Sequence, residues 1–138
     1  MGIVAWENFF IVHIKEIDEQ HHKIVDFTNE IYDKLNSATT VDLSAFDDIF
    51  DQLREHADLH FGTEERYFAK FQYPEANVHI AEHNKIKDRI MDLKTRFLAA
   101  RNQDIIFEAL KLLDDWLLVH IMEYDQKYVK LFHEHGLK

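Results

Sequence analysis

Residues 56–83 read HADLHFGTEERYFAKFQYPEANVHIAEH and hold two pairs of donor groups at helical spacing, His60 with Glu64 and His79 with His83. Residues four apart on an α-helix sit one turn apart on the same face, so each pair can offer two ligands to one point. Pro74 lies between the pairs. Proline suits a helix's first turn and breaks its interior, which assigns the pairs to two consecutive helices. Two such pairs on neighbouring helices read as a metal site.

The second helix is predicted over about 42–70. One face of it carries Phe46, Ile49, Phe50, Leu53, Ala57, His60, Phe61, Glu64 and Phe68. The third, predicted over about 74–99 with Pro74 in its first position, has the stripe His79, His83, Ile86, Ile90, Leu93 and Phe97. A first helix over about 19–36, with Asp18 as N-cap, carries Ile24, Val25, Thr28, Ile31, Tyr32 and Leu35, and His21 begins the stripe. A fourth over about 103–132 turns Ile105, Ile106, Ala109, Leu113, Trp116, Leu117, His120, Tyr124, Tyr128 and Leu131 inward, with Asp125 close to His120. Residues 1–17 read as an arm whose Trp6, Phe9, Phe10, Ile11, Ile14 and Ile17 give it surface to pack. The tail from His133 is expected to fray.

Three glycines and one proline in 138 residues leave little turn chemistry for many short strands. The expectation is therefore all-α: one domain over 1–138, an antiparallel up-down-up-down four-helix bundle with an N-terminal arm. A net charge of −10 repels phosphate backbones and anionic lipid, which argues against nucleic-acid and membrane partners. There is no cysteine, so disulfides, thiolate metal sites and cysteine nucleophiles are excluded. No apolar run reaches the length of a membrane span and the start lacks a basic signal region, so a cytoplasmic location is expected.

The stripes bring together His21, His60, Glu64, His79, His83, His120 and Asp125, at least one from each helix. A lone core histidine is usually a satisfied packing residue, but seven ionisable groups cannot be buried without partners or metal. Imidazole and carboxylate donors suit iron, manganese, zinc or copper, and seven are too many for one ion, which implies two.

These residues also carry a resemblance. D-E-Q-H at Asp18 to His21, H-F-x-x-E-E at His60 to Glu65, H-x-x-x-H at His79 to His83 and H-x-x-x-x-D at His120 to Asp125 resemble the hemerythrin family, in particular its bacterial members, from Trp6 to about Leu131. The resemblance implies two non-haem iron ions. His79, His83 and His120 would hold one, His21 and His60 the other, and Glu64, Asp125 and an oxo or hydroxo group would bridge them. It implies reversible dioxygen binding for carriage, storage or delivery, with O2 as the ligand and no catalysis. Reversible binding needs a dry pocket, for which Ile24, Val25, Trp116, Leu117 and Ile121 are candidates, each within about one turn of a ligand. Ordinary core packing explains each of the five equally well. In the arm, Ile11-Val12-His13-Ile14 departs from the S-V-G-I of many bacterial members, and His13 is expected at the surface. His22, His56, His133 and His135 are expected to be non-ligands, with His56 a hydrogen-bonding flank.

Rival readings remain. A ferritin-like site would want two Glu-x-x-His pairs, and Glu19 with His22 is the only one. A sensing domain acting through a signalling or O2-consuming protein partner, or a di-iron reductase of peroxide or nitric oxide, would use the same residues.

Overall fold

The computed structural model describes residues 11–36 and 43–138. Its elements are α1 (Lys15–Asn36), a 3₁₀ turn (Leu43–Phe46), α2 (Ile49–Phe71), α3 (Ala76–Ala99), α4 (Gln103–Asp115), a π-helical segment (Trp116–Tyr124), a 3₁₀ segment (Asp125–Tyr128) and α5 (Val129–Glu134). The fold is all-α, and no strand occurs among the described residues. The π segment, the 3₁₀ segment and α5 continue α4, so four long helical rods form the antiparallel up-down-up-down bundle.

The boundaries differ from the sequence expectation in ways that side chains explain. Helix α1 begins at Lys15, so Asp18 is not its N-cap. Instead the Asp18 carboxylate lies inside the first turn and accepts the Val12 N–H at 2.8 Å, which folds residues 11–14 back onto the helix start. The bulky, fully buried Val12 and Ile14 hold that arm in place. Of the arm's expected apolar anchors, Trp6, Phe9 and Phe10 lie outside the described residues.

Helix α2 starts later than expected because Leu43–Phe46 forms a 3₁₀ turn first, with the Asp47 N–H bonded to the Ser44 carbonyl. It ends where Gln72 takes the left-handed conformation (φ 54°) and returns its N–H to the Phe68 carbonyl. Pro74 sits in the turn that follows, and α3 begins two residues beyond it. Between α3 and α4, the Asn102 side chain caps α4 by accepting the Asp104 N–H at 2.8 Å. The C-terminal tail, expected to fray, is folded back. Gly136 (φ 82°) closes α5, the Leu137 N–H bonds to the Phe132 carbonyl at 3.0 Å, and His135 stacks on Phe71 with ring centroids 4.4 Å apart.

The buried side chains fall into two apolar clusters. The larger includes Ile24, Phe50, Leu53, Phe61, Ile90, Phe97, Ile106, Leu113, Trp116 and Ile121. The smaller joins Val12, Ile14 and Ile17 to Phe68, Tyr73, Tyr128 and Phe132. Each rod passes from one cluster to the other through polar residues: Ile17, His21, Ile24 on α1, and Phe61, Glu64, Phe68 on α2. A buried polar layer is thus sandwiched between two hydrophobic ends.

Phe97 packs against Phe50 at 5.4 Å in the larger cluster, fourteen residues along α3 from His83. Phe97→Ala is expected to lower stability by about 3–5 kcal/mol in urea unfolding while leaving metal bound per folded chain unchanged.

Candidate metal centre

The polar layer consists of His21, His60, Glu64, His79, His83, His120 and Asp125, each at most 3% exposed. All seven sequence-predicted ligands therefore come together. They fall into two groups whose donor atoms lie within 4.8 Å of one another: Glu64, His79, His83, His120 and Asp125 in one, His21, His60, Glu64 and Asp125 in the other. Glu64 and Asp125 belong to both.

Helical geometry accounts for six of the seven placements, and the seventh needs the π segment. His60 with Glu64 and His79 with His83 are ordinary i, i+4 neighbours. His120 and Asp125 are five apart, and on an α-helix a five-residue interval turns the two side chains about 140° from each other. The chain resolves this by widening: the Asp125 N–H bonds to the His120 carbonyl, closing a five-residue turn that brings both side chains into the layer.

Distances inside the layer suit ions. Asp125 Oδ1 is 2.9 Å from His79 Nε2 and 3.1 Å from His120 Nε2, and Asp125 Oδ2 is 2.9 Å from His21 Nε2. Glu64 Oε1 is 3.0 Å from His83 Nε2 and 3.7 Å from His60 Nε2. Nitrogen and oxygen ligands sit about 2.0–2.2 Å from a first-row divalent ion, so two of them at right angles are about 3 Å apart. Glu64 Oε1, both Asp125 oxygens, His60 Nε2 and His83 Nε2 are fully buried yet make no aligned hydrogen bond among the described residues. Buried polar atoms are rarely left so, and these lie within the two donor groups. The donor set and the spacing fit metal ions.

Charge in the layer follows its contacts. Burial alone would raise the Asp125 pKa, but His120, with His21 and His79, outweighs it and holds the carboxyl well below its usual range. Burial holds His60 well below the usual imidazole value, the neighbouring His21 adding to the effect. Burial also acts to lower His83, yet the Glu64 and Glu65 carboxylates beside its two nitrogens raise it to about 9.

Outside the ligand layer stand groups that the sequence reading did not single out. His83 Nδ1 donates to Glu65 Oε2 at 2.7 Å, and His60 Nδ1 lies 2.7 Å from Gln20 Oε1. Tyr128 donates its hydroxyl to Glu64 Oε2 at 2.5 Å. Burial, then the charges of Asp125 and Glu64, keeps that phenol well above its usual pKa, so it remains a donor. Gln20 and Glu65 were visible as the third residue of D-E-Q-H and the last of H-F-x-x-E-E. Such partners orient ligand rings and tune their basicity.

Of the expected non-ligands, His22 and His135 are exposed and neither belongs to the converging groups. His56 donates Nε2–H to the Gln20 carbonyl and stacks on His60 at 6.0 Å, beside the layer rather than in it. His13 is exposed at φ 60°, and its carbonyl accepts from His133 Nε2 at 3.0 Å. Ile24, Val25, Trp116, Leu117 and Ile121 are all buried in the larger cluster next to the layer.

The hemerythrin HHE cation binding domain matches residues 12–132. The chain belongs to the hemerythrin family. Among curated relatives, the bacteriohemerythrin of Clostridium acetobutylicum is 29% identical, covering 91% of this chain and 98% of that one. The bacteriohemerythrin of Methylococcus capsulatus is 30% identical, covering 93% of this chain and 95% of that one. A crystal structure of wild-type hemerythrin superposes with a TM-score of 0.78 at 28% identity, covering 94% of this chain and 97% of that one. No described helix is long and apolar enough to cross a membrane.

His79→Ala or His120→Ala is expected to cut bound metal to less than half per chain, by elemental analysis of the purified protein, whereas His133→Ala leaves it unchanged. Because metal bound only by the folded state adds to folding free energy, chelation should lower the melting temperature of the parent and leave that of His79→Ala nearly unmoved.

Proposed function

We propose that this hemerythrin-family chain binds dioxygen reversibly at a pair of non-haem irons. His79, His83 and His120 would hold one iron, His21 and His60 the other, and Glu64 and Asp125 would join the two. The observation that carries this reading is the pair of overlapping donor groups, five members against four, sharing both carboxylates. Counted by donors, the His21 and His60 position has one protein ligand fewer than its neighbour, which would leave a coordination position for a small molecule. Two ferrous ions held there would supply the electrons for reversible dioxygen binding.

The protein's part is to keep that position dry and aligned. Trp116 lies with its ring 6.4 Å from His60 and 5.0 Å from Phe61, and it is fully buried. Ile24, Val25, Leu117 and Ile121 pack with it in the same buried apolar cluster, which would limit the access of water. Gln20 and Glu65 hold ligand rings from outside the layer, so the donors are positioned before the ions arrive. Binding of this kind needs no group that transfers atoms to a substrate, and a carrier or store is the reading we adopt.

The test is spectroscopic. The protein loaded with two ferrous ions is expected to gain a ligand-to-iron absorption band in air and to lose it under argon through repeated cycles. Iron oxidation with no reversible band would overturn the reading. Sustained consumption of peroxide or nitric oxide with an electron donor would point to a reductase instead.

A further inference from the structure

We propose that Thr63 is a positioning residue that fixes the tautomer of His60, acting through the side-chain amide of Gln20. The inference rests on His60 serving as a metal ligand, the reading given above. Two of the imidazoles differ in what faces their Nδ1 atoms. His83 Nδ1 faces Glu65, a carboxylate that can only accept, so the proton of His83 is held on Nδ1 by its partner alone. His60 Nδ1 faces Gln20, an amide that could present either its oxygen or its nitrogen. Only the first choice leaves a lone pair on His60 Nε2, the atom that faces Glu64. Something must decide which end of the amide His60 meets.

The deciding contact comes from α2 itself. The Leu59 carbonyl can only accept, and Thr63 Oγ1 donates to it at 2.8 Å, which commits the hydroxyl hydrogen. Thr63 Oγ1 is then available to Gln20 only as an acceptor, and Gln20 Nε2 donates to it at 3.2 Å. With its nitrogen committed to Thr63, the amide turns Oε1 toward His60, which must donate from Nδ1. A backbone carbonyl thus sets the direction of every bond in the chain from Leu59 through Thr63 and Gln20 to His60. Thr63 is 3% exposed, while Gln20 is half-buried. The Gln20 main chain is held as well, its carbonyl accepting from His56 Nε2 at 2.9 Å.

Long-range proton–nitrogen NMR on the metal-free protein with labelled histidine reads the tautomer directly, near neutral pH. The parent should carry the His60 proton on Nδ1. Thr63→Val keeps the shape and removes the acceptor, and a measurable share of His60 should move its proton to Nε2. Thr63→Ser should restore the parent pattern. So should Gln20→Glu combined with Thr63→Val, because a carboxylate accepts without being told which end to use. In metal titration, Thr63→Val should weaken the His21 and His60 position by about 10–100-fold and spare the other. If Thr63→Val leaves both the tautomer and the affinity unchanged, the relay is wrong. If Thr63→Val does not fold, Thr63→Ala with the double variant carries the same comparison. A parent that binds no metal but shows this tautomer pattern would sink the dioxygen reading and leave the relay standing.

Discussion

The structure depends on burying five imidazoles and two carboxylates in one layer across a bundle of four rods. Seven such groups in a low-dielectric interior are costly unless each is paired, hydrogen-bonded or bound to an ion. The bundle meets this demand by placing apolar clusters on both sides, so that the layer is fixed in height along every rod. Packing energy from Phe50, Phe97, Phe68 and Phe132 holds the rods together, and the layer inherits its geometry from them. The groups behind the ligands, Gln20, Glu65 and Tyr128, then settle how each donor is turned.

Much of this was legible in the sequence because helical periodicity is a strong signal for long amphipathic stretches. His60, Glu64, His79 and His83 announced themselves at i, i+4, and the stripes of α1, α2 and α3 located the core. What was not legible depended on contacts between distant residues. Asp18 looked like an N-cap because its type suits one, but its carboxylate reaches back to Val12, and that bond has no local signature. The tail looked free because HEHGLK is polar, yet Gly136 lets it turn and Phe71 gives His135 a surface to stack on. Thr63 read as an ordinary helix residue, since its role exists only once α1 lies beside α2.

The fourth rod was the hardest to read. A single helix over 103–132 was the economical expectation from its apolar stripe, and α4 obeys it. The spacing of His120 and Asp125 contained the contrary signal, because five residues do not fit one α-helical face.

That wide turn also determines what lies beyond it. Before the π segment Leu113 points inward, within it Trp116, Leu117, His120 and Ile121 do, and after it Asp125, Tyr128 and Phe132. The π segment underwinds the rod and the 3₁₀ segment after it overwinds it, so Leu117, Ile121, Asp125, Tyr128 and Phe132 stay inward at steps of four, four, three and four. Tyr128 and Phe132 lie in the smaller apolar cluster, where Val12 and Ile14 also pack. The segment therefore links the shared carboxylate to the C-terminal end of the rod. Its length couples the integrity of the arm's packing to the position of a carboxylate shared by both donor groups, so that a one-residue deletion there would disturb the two together.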